Sequence, residues 1–269
     1  LARWGIRDQK ELFWLDPPPS GSMAQARQLL GYLGALNAQG HITNHGQCMA
    51  DLPMHPRLAH MVLKGKTLGL GALACDLAAA LSERDAFKGS MAREHADLRS
   101  RFDMLYAASQ GQKDKGSPDT GTLKRIRQAS LTWQRTLHIA TSTHFPKQQI
   151  DQIGVLLALA YPDRIAQRQT DEASRYRLTN GRSAKFHHPD PLEHEEWLVI
   201  ADLNGAPSTA LIYLAAPISR EDLITHCADL MQSTESVMWD ESAQTVVASR
   251  QRRVGELILE ESRLPNPDP

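Results

Sequence analysis

Six residues between 164 and 185 are cationic: Arg164, Arg168, Arg175, Arg177, Arg182 and Lys185. Only Asp171 and Glu172 oppose them, a local +4 in a chain whose formal net charge is -1. Guanidinium groups grip phosphates through paired hydrogen bonds, and a positive face with aromatic rings holds a single strand by charge and stacking. Tyr176 and Phe186 are the candidate stacking rings. Two smaller clusters repeat the pattern: Lys124, Arg125, Arg127 and Arg135, then Arg250, Arg252 and Arg253. Near-neutral overall charge predicts no partner, so a nucleic-acid surface has to come from such local clustering.

Other groupings carry less chemistry. His187, His188, Asp190, His194 and Glu195 supply zinc-type ligands, but Pro189 and Pro191 leave no helix to align them. A solvated loop is the simpler reading. Gly69-x-Gly71-x-x-Ala74 is the weak form of a dinucleotide fingerprint, which needs a strand before it. A helical pattern precedes it instead, so it reads as a helix–helix corner. Asp171-Glu172-Ala173-Ser174 starts like a helicase acidic box, yet it stands in a polar loop where no buried strand could aim it at a metal. No GxxxxGK[ST] occurs anywhere, so nothing cradles phosphates, and the chain alone is expected not to hydrolyse ATP. No GxSxG elbow or paired Cys and His supports hydrolase chemistry. No metal or cofactor is expected to reside here. Cys48, Cys75 and Cys227 form no CxxC pair; they read as small buried hydrophobes of a reducing, cytoplasmic protein. No signal peptide or membrane span is visible.

The elements that must position these residues change character along the 269 residues. Leu1, Trp4, Ile6, Leu12, Phe13 and Trp14 are expected to pack as a first element, and Pro17, Pro18 and Pro19 then enforce an extended entry. Met23, Ala26, Leu29, Leu30 and Leu33 recur at helical spacing, Gly34 stops that helix, and Asn37 with Gly40 turns the chain into His41-Ile42-Thr43. Thr43 or Asn44 can cap a second helix. Helix, turn, short β element, helix is a winged-helix pattern. Amphipathic helices follow to about Ala160, interrupted by Gln110–Gly121, which has no apolar anchor and reads as a mobile loop. From Tyr161 the pattern is β. Asn180-Gly181 suggests a type I′ hairpin, and Trp197–Leu203 and Ala210–Ala215 add strands. Four or five short strands around such turns suggest a small OB-type barrel. A helix at Arg220–Met231 and three final strands close the chain before a frayed tail, 265–269.

Several ordered motifs resemble the region downstream of the motor domains in DEAH-box helicases. They are Leu15-Asp16-Pro17-Pro18-Pro19, Leu33-Gly34-Ala35-Leu36, Gly40-His41-Ile42-Thr43-x-x-Gly46 and Leu52-Pro53-Met54-His55-Pro56-Arg57-Leu58. Gly69–Ala79, Tyr161–Ala166, Tyr176–Arg182 and Glu195–Asp202 resemble the bacterial HrpB branch, an ATP-dependent RNA helicase family. The resemblance covers nearly the whole chain outside about residues 89–147. It implies a piece of a longer protein, and the start at Leu1, without Met, agrees with that expectation. It also implies a multidomain α+β chain: winged helix at 1–54, ratchet-like all-α bundle at 55–160 with a mobile loop at 110–121, OB-like barrel at 161–217, and small C-terminal α/β extension at 218–269. ATP and magnesium would belong to RecA-like motor domains elsewhere in the parent. The expected partners are single-stranded nucleic acid, RNA by family, and those motor domains. The expected contacts are Arg164, Arg168, Tyr176, Arg177, Arg182 and Lys185, with Arg57 either at a strand tunnel or at the winged-helix interface. The alternative expectation is a module docking a regulator or ribosome-associated protein.

Overall fold

Helix α1 (Ser20–Tyr32) begins at the residue after the triple proline and is capped by Leu33, with Gly34 following at φ 64°. Asn37 Oδ1 accepts the backbone N–H groups of Gln39 and His41 (3.0 and 2.9 Å), which forms the turn into a single bridge between Leu36 and Ile42. Thr43 Oγ1 accepts the Gly46 N–H at 3.0 Å and caps α2 (Asn44–Ala50). A Cβ on Gly46 would run into the Ala35 carbonyl and the Ile42 side chain, so the helix can dock only with glycine there. Leu33, Ala35, Met49, Leu52 and Ala59 form the local core. The leading segment differs from the expectation. It forms two short 3-10 turns, Ala2–Trp4 and Gln9–Glu11, and leaves Leu1, Trp4, Phe13, Trp14 and Leu15 exposed. Neither turn is long enough to present an apolar face to the helices.

The computed structural model describes residues 1–6, 8–83, 85–87, 96–111, 118–142, 144–169, 174–205, 208–240 and 244–264. The chain divides into two units, Leu1–Lys88 with Leu105–Ile150, and Gly89–Met104 with Asp151–Pro269. Residues 112–117 of the expected mobile loop, the acidic Asp171-Glu172-Ala173 and the tail lie outside the described residues.

In the first unit α3 (Pro56–Thr67) turns into α4 (Gly71–Ser82) through a Schellman closure. Leu70 N–H donates to Gly65 C=O (2.8 Å), Gly69 N–H donates to Lys66 C=O (3.2 Å), and Gly69 takes φ 75°. The fingerprint-like glycines are therefore a helix–helix corner. Apart from the terminal Ser82, α4 is apolar except for Asp76. Its carboxylate is buried and accepts Ser130 Oγ, Tyr106 Oη (2.7 Å) and Gln134 Nε2 (3.3 Å), from α5 (Leu98–Ser109) and α6 (Thr120–Thr136). Burial pushes this carboxyl up, against the pull of the two hydroxyl bonds. A second buried polar pair joins α2 to α3: His45 Nε2 and His60 Nδ1 are 2.8 Å apart. Burial, with His45 and Lys64 nearby, pushes His60 down to about 3. The ring that accepts in this pair cannot take a second proton without breaking it. The short α7 (Lys147–Ile150) completes this unit.

The second unit is built on α8 (Ile153–Ala160), IGVLLALA, which is buried nearly all round. Sequence spacing groups this helix with the bundle; in the structure it packs against barrel strands, because an all-apolar helix needs cover on every side. Gly154 meets the Pro217 carbonyl so closely that no Cβ would fit. The barrel strands are β1 (Ile165–Arg168), β2 (Arg175–Leu178), β3 (Ser183–Phe186), β4 (Trp197–Leu203) and β5 (Thr209–Pro217). They close in the order β1-β2-β3-β5-β4, with β3 and β5 parallel and the other pairs antiparallel. Ala166, Tyr176, Leu178, Ala184, Phe186, Leu198, Ile200, Ala210 and Ile212 fill the interior.

The β2–β3 turn is not type I′. Gly181 N–H closes on Leu178 C=O (2.9 Å), and Gly181 takes φ 79° while Asn180 stays at negative φ. A I′ turn needs both residues left-handed. Beyond the barrel, α9 (Arg220–His226) leads to a three-stranded sheet, β6 (Gln232–Asp240), β7 (Thr245–Val254) and β8 (Leu257–Arg263). Gly255, at φ 56°, lets the β7–β8 turn touch the Thr179 carbonyl, where Glu256 N–H donates at 2.8 Å. No helix among the described residues is long and apolar enough to cross a membrane.

Candidate nucleic-acid interface

Strand alternation decides which cations can meet a ligand. In β2, Tyr176 and Leu178 point inward, while Arg175 and Arg177 point outward. In β3, Ala184 and Phe186 point inward, while Ser183 and Lys185 point outward. The register sets Arg175 opposite Lys185 and Arg177 opposite Ser183. Across the next seams Gln167 stands beside Arg177, Thr209 beside Ser183 and Leu211 beside Lys185. This outer ladder contains three cations and no carboxylate at any of its paired positions.

The expected contacts separate on this geometry. Arg177 and Lys185 lie exposed on the outer ladder, and Arg177 Nη2 reaches Glu256 Oε2 only at 3.5 Å. Arg182 is exposed in the hairpin turn, where its backbone N–H donates to Asn180 Oδ1 at 3.0 Å. Arg168 is exposed at the end of β1, opposite Tyr176. Its charge bears on the Tyr176 phenol together with those of Glu193, Glu195 and Asp190, so its end of the barrel is of mixed sign. Arg164 is held within the protein: Nη1 donates to the Ala201 carbonyl at 2.7 Å, and the guanidinium lies 4.9 Å from the Tyr161 ring centroid.

Tyr176 cannot serve as a stacking platform. It is fully buried; its hydroxyl donates to the Leu192 or Glu195 carbonyl (2.8 and 2.9 Å), and its ring packs edge-on against Phe186. Phe186 is buried beside it. Both occupy inward positions of period-2 strands, so neither ring is offered to a strand lying on the outer ladder. Arg57 belongs to the first unit, half-buried in the first turn of α3. Arg175, a member of the basic cluster but not of the expected contacts, joins the ladder because its cross-strand neighbour is Lys185.

The other two clusters fare differently. Arg250 lies across from Glu235 and Arg252 across from Glu260, with ion pairs of 2.7 Å each. Arg253 reaches Glu256 at 4.0 Å. On α6, Arg125 pairs with Glu83 (2.9 Å), while Lys124, Arg127 and Arg135 line one stripe with Gln128, Leu131 and Thr132. The histidine-rich loop holds no metal-type group among the described residues. Asp190 uses both carboxylate oxygens on backbone, accepting Ala96 N–H (3.0 Å) and Leu192 N–H (2.9 Å). Cys75 and Cys227 are buried, and burial pushes each thiol up to about 12, whereas Cys48 is exposed.

Comparison with known proteins agrees with this architecture. Residues 26–54 match the helicase associated domain (HA2), winged-helix, and residues 230–264 match the connector region of ATP-dependent RNA helicase HrpB. The chain is 31% identical to the Escherichia coli ATP-dependent RNA helicase HrpB over 99% of its own length and 30% of that protein's. It is 30% identical to the probable ATP-dependent RNA helicase DHR2 of Saccharomyces cerevisiae over 38% of the chain and 14% of the relative. Two crystal structures of the E. coli HrpB protein superpose with TM-scores of 0.76 and 0.73, at 30% and 28% identity, covering 99% of the chain and 30% of each. The chain thus spans about a third of the length of the curated relative it matches throughout.

Proposed function

We propose that this chain, which belongs to the HrpB family of DEAH-box RNA helicases as part of its C-terminal region, binds and positions single-stranded RNA for an ATP-driven motor elsewhere in the parent. The observation that carries this reading is the outer ladder of β2 and β3, whose register sets no carboxylate across from its cations. Arg175, Arg177 and Lys185 stand there at strand spacing, able to follow a phosphate backbone. The strand order β1-β2-β3-β5-β4 with parallel β3 and β5 fits an OB-type barrel, a frequent single-strand binder. In the proposed division of labour, the winged helix at 1–54 and ratchet-like helices of 55–160 couple to the RecA-like domains, the barrel at 161–217 grips the strand, and 218–269 extends it. α8 serves as the barrel's buttress. In the parent, ATP and magnesium would act in the motor domains and nothing covalent would happen here. A cytoplasmic site of action follows from the same reading.

The direct test is anisotropy of a labelled single-stranded RNA with the 269-residue chain across a salt series. Arg177→Ala with Lys185→Ala should weaken binding and flatten the salt slope by roughly 0.7 per lost phosphate contact. Unchanged affinity and slope would take the barrel out of the strand path.

A second reading has its own observation. Val237, Met238, Trp239 and Val246 near the end of the β6–β7 hairpin are all more than half exposed. Apolar surface of this kind favours a protein partner docked on the extension. Trp239→Ala should then abolish that docking and leave RNA affinity unchanged.

A further inference from the structure

The outer ladder runs on into a cleft beyond the end of β3. Past the end of β3, His187 and His188 are exposed, with ring centroids 4.3 Å apart and planes within 11°. Since Phe186 pairs with Ile212, the next outward position of β5, Tyr213, comes up beside this histidine pair. Tyr213 is 41% exposed on the outer face. Together with Phe186, Ile212, Ala96 and Asp190, these residues line a cavity of about 380 Å³. This volume lies at the low end of small-ligand clefts, roughly 300–1,000 Å³. His187, His188, Tyr213 and Phe186 supply planar rings to a lining that is more polar than apolar. The one carboxylate in the lining is already held by two backbone N–H groups. Lys185 stands one outward position back along β3, where a phosphate attached to the occupant would meet it.

We propose that the His187–His188–Tyr213 cleft is a nucleobase pocket, in which the base of a strand held on the outer ladder stacks on an exposed ring. The proposal rests on the strand-binding reading and supplies the stacking surface that Tyr176 and Phe186 cannot. Aromatic and imidazole rings both stack on bases, and the contribution is insensitive to which base it is. The recognised chemistry is a planar heterocycle next to a phosphate, offered by an RNA strand or by a free mononucleotide.

The 269-residue chain is titrated with a labelled oligouridylate and with an abasic oligomer of the same backbone. Tyr213→Ala, and separately the pair His187→Ala with His188→Ala, should weaken oligouridylate binding by about tenfold. Neither should move binding of the abasic strand or the salt slope. Tyr213→Phe keeps the ring and should bind like the parent chain; circular dichroism checks the fold of each variant. Competition by uridine monophosphate tells the sources apart. Displacement at micromolar levels assigns the pocket to free nucleotides, and displacement only at millimolar levels assigns it to strand bases; either supports a base pocket. If the pocket variants bind normally while Lys185→Glu weakens the complex, the pocket is refuted and the ladder stands. If Lys185→Glu also has no effect, the strand-binding reading fails and the pocket with it.

Discussion

The barrel ladder and the C-terminal sheet carry arginine at similar density, in the same unit, on strands of the same kind. They differ in what the register sets across from each cation. In the sheet, Arg250 faces Glu235, Gln251 faces Glu261 and Arg252 faces Glu260. On the barrel, Arg175 faces Lys185 and Arg177 faces Ser183. Cross-strand opposite charges contribute a few tenths of a kcal/mol to about 1 kcal/mol, and like charges directly opposite cost a similar amount. The sheet has placed its carboxylates on the strands beside its arginines, while on the barrel the register supplies none and Arg177 turns to Glu256 of the β7–β8 turn at 3.5 Å. A count of basic residues treats the two alike; the register separates them.

The largest test of this contrast is charge reversal on the barrel. Arg177→Glu with Lys185→Glu should weaken single-stranded RNA binding by about 100-fold at moderate salt, since two attractive contacts become repulsive. The same reversal at Arg250 and Arg252 should change affinity less than about threefold. Equal losses from both pairs would erase the distinction.

The first unit offers a pH version of the same question, because His60 is buried and its bond to His45 suits a neutral ring. The folded His60 sits at about 3, well below its ordinary 6.5. Below about pH 6 the unfolded chain therefore binds a proton that the folded chain does not. The folded-to-unfolded ratio should fall by about tenfold per pH unit from this group down to its folded value. His60→Gln should remove that part of the acid slope in urea unfolding measured at pH 7 and pH 5. An identical slope in the variant would show that the pair does not hold the ring neutral.

Smaller effects sharpen the sheet side. Glu235→Gln with Glu260→Gln should uncover Arg250 and Arg252 and raise RNA affinity by about two- to fivefold at low salt, most of it lost at high salt. Smallest of all, a double-mutant cycle on Arg250 and Glu235 should give a coupling under about 1 kcal/mol, because both side chains are more than half exposed.

Much of the local architecture was legible from sequence. The Thr43 cap, the turn at Asn37, the corner at Gly69 and the strand Trp197–Leu203 follow from residue type and spacing alone. So does the position of the basic cluster. The candidate site was less legible. Alternation in Arg175–Leu178 carries the information that Tyr176 shares a face with Leu178, yet ring type alone points to a ligand for it. The histidines stood out in the sequence only as zinc-type ligands, and the approach of Tyr213 to them had no signal, since β3 and β5 are joined in parallel across a connection that includes β4.

What the chain determined by itself was everything within one turn or one strand's reach: where helices start and stop and which strand residues alternate. Tertiary structure alone decided that Arg164 would clamp Ala201, that α8 would buttress the barrel, and which arginines would meet a carboxylate. The physical reason is range. Backbone conformation and capping depend on neighbours a few residues away, whereas a charge is compensated or left available according to whatever the register carries across from it, many residues distant along the chain.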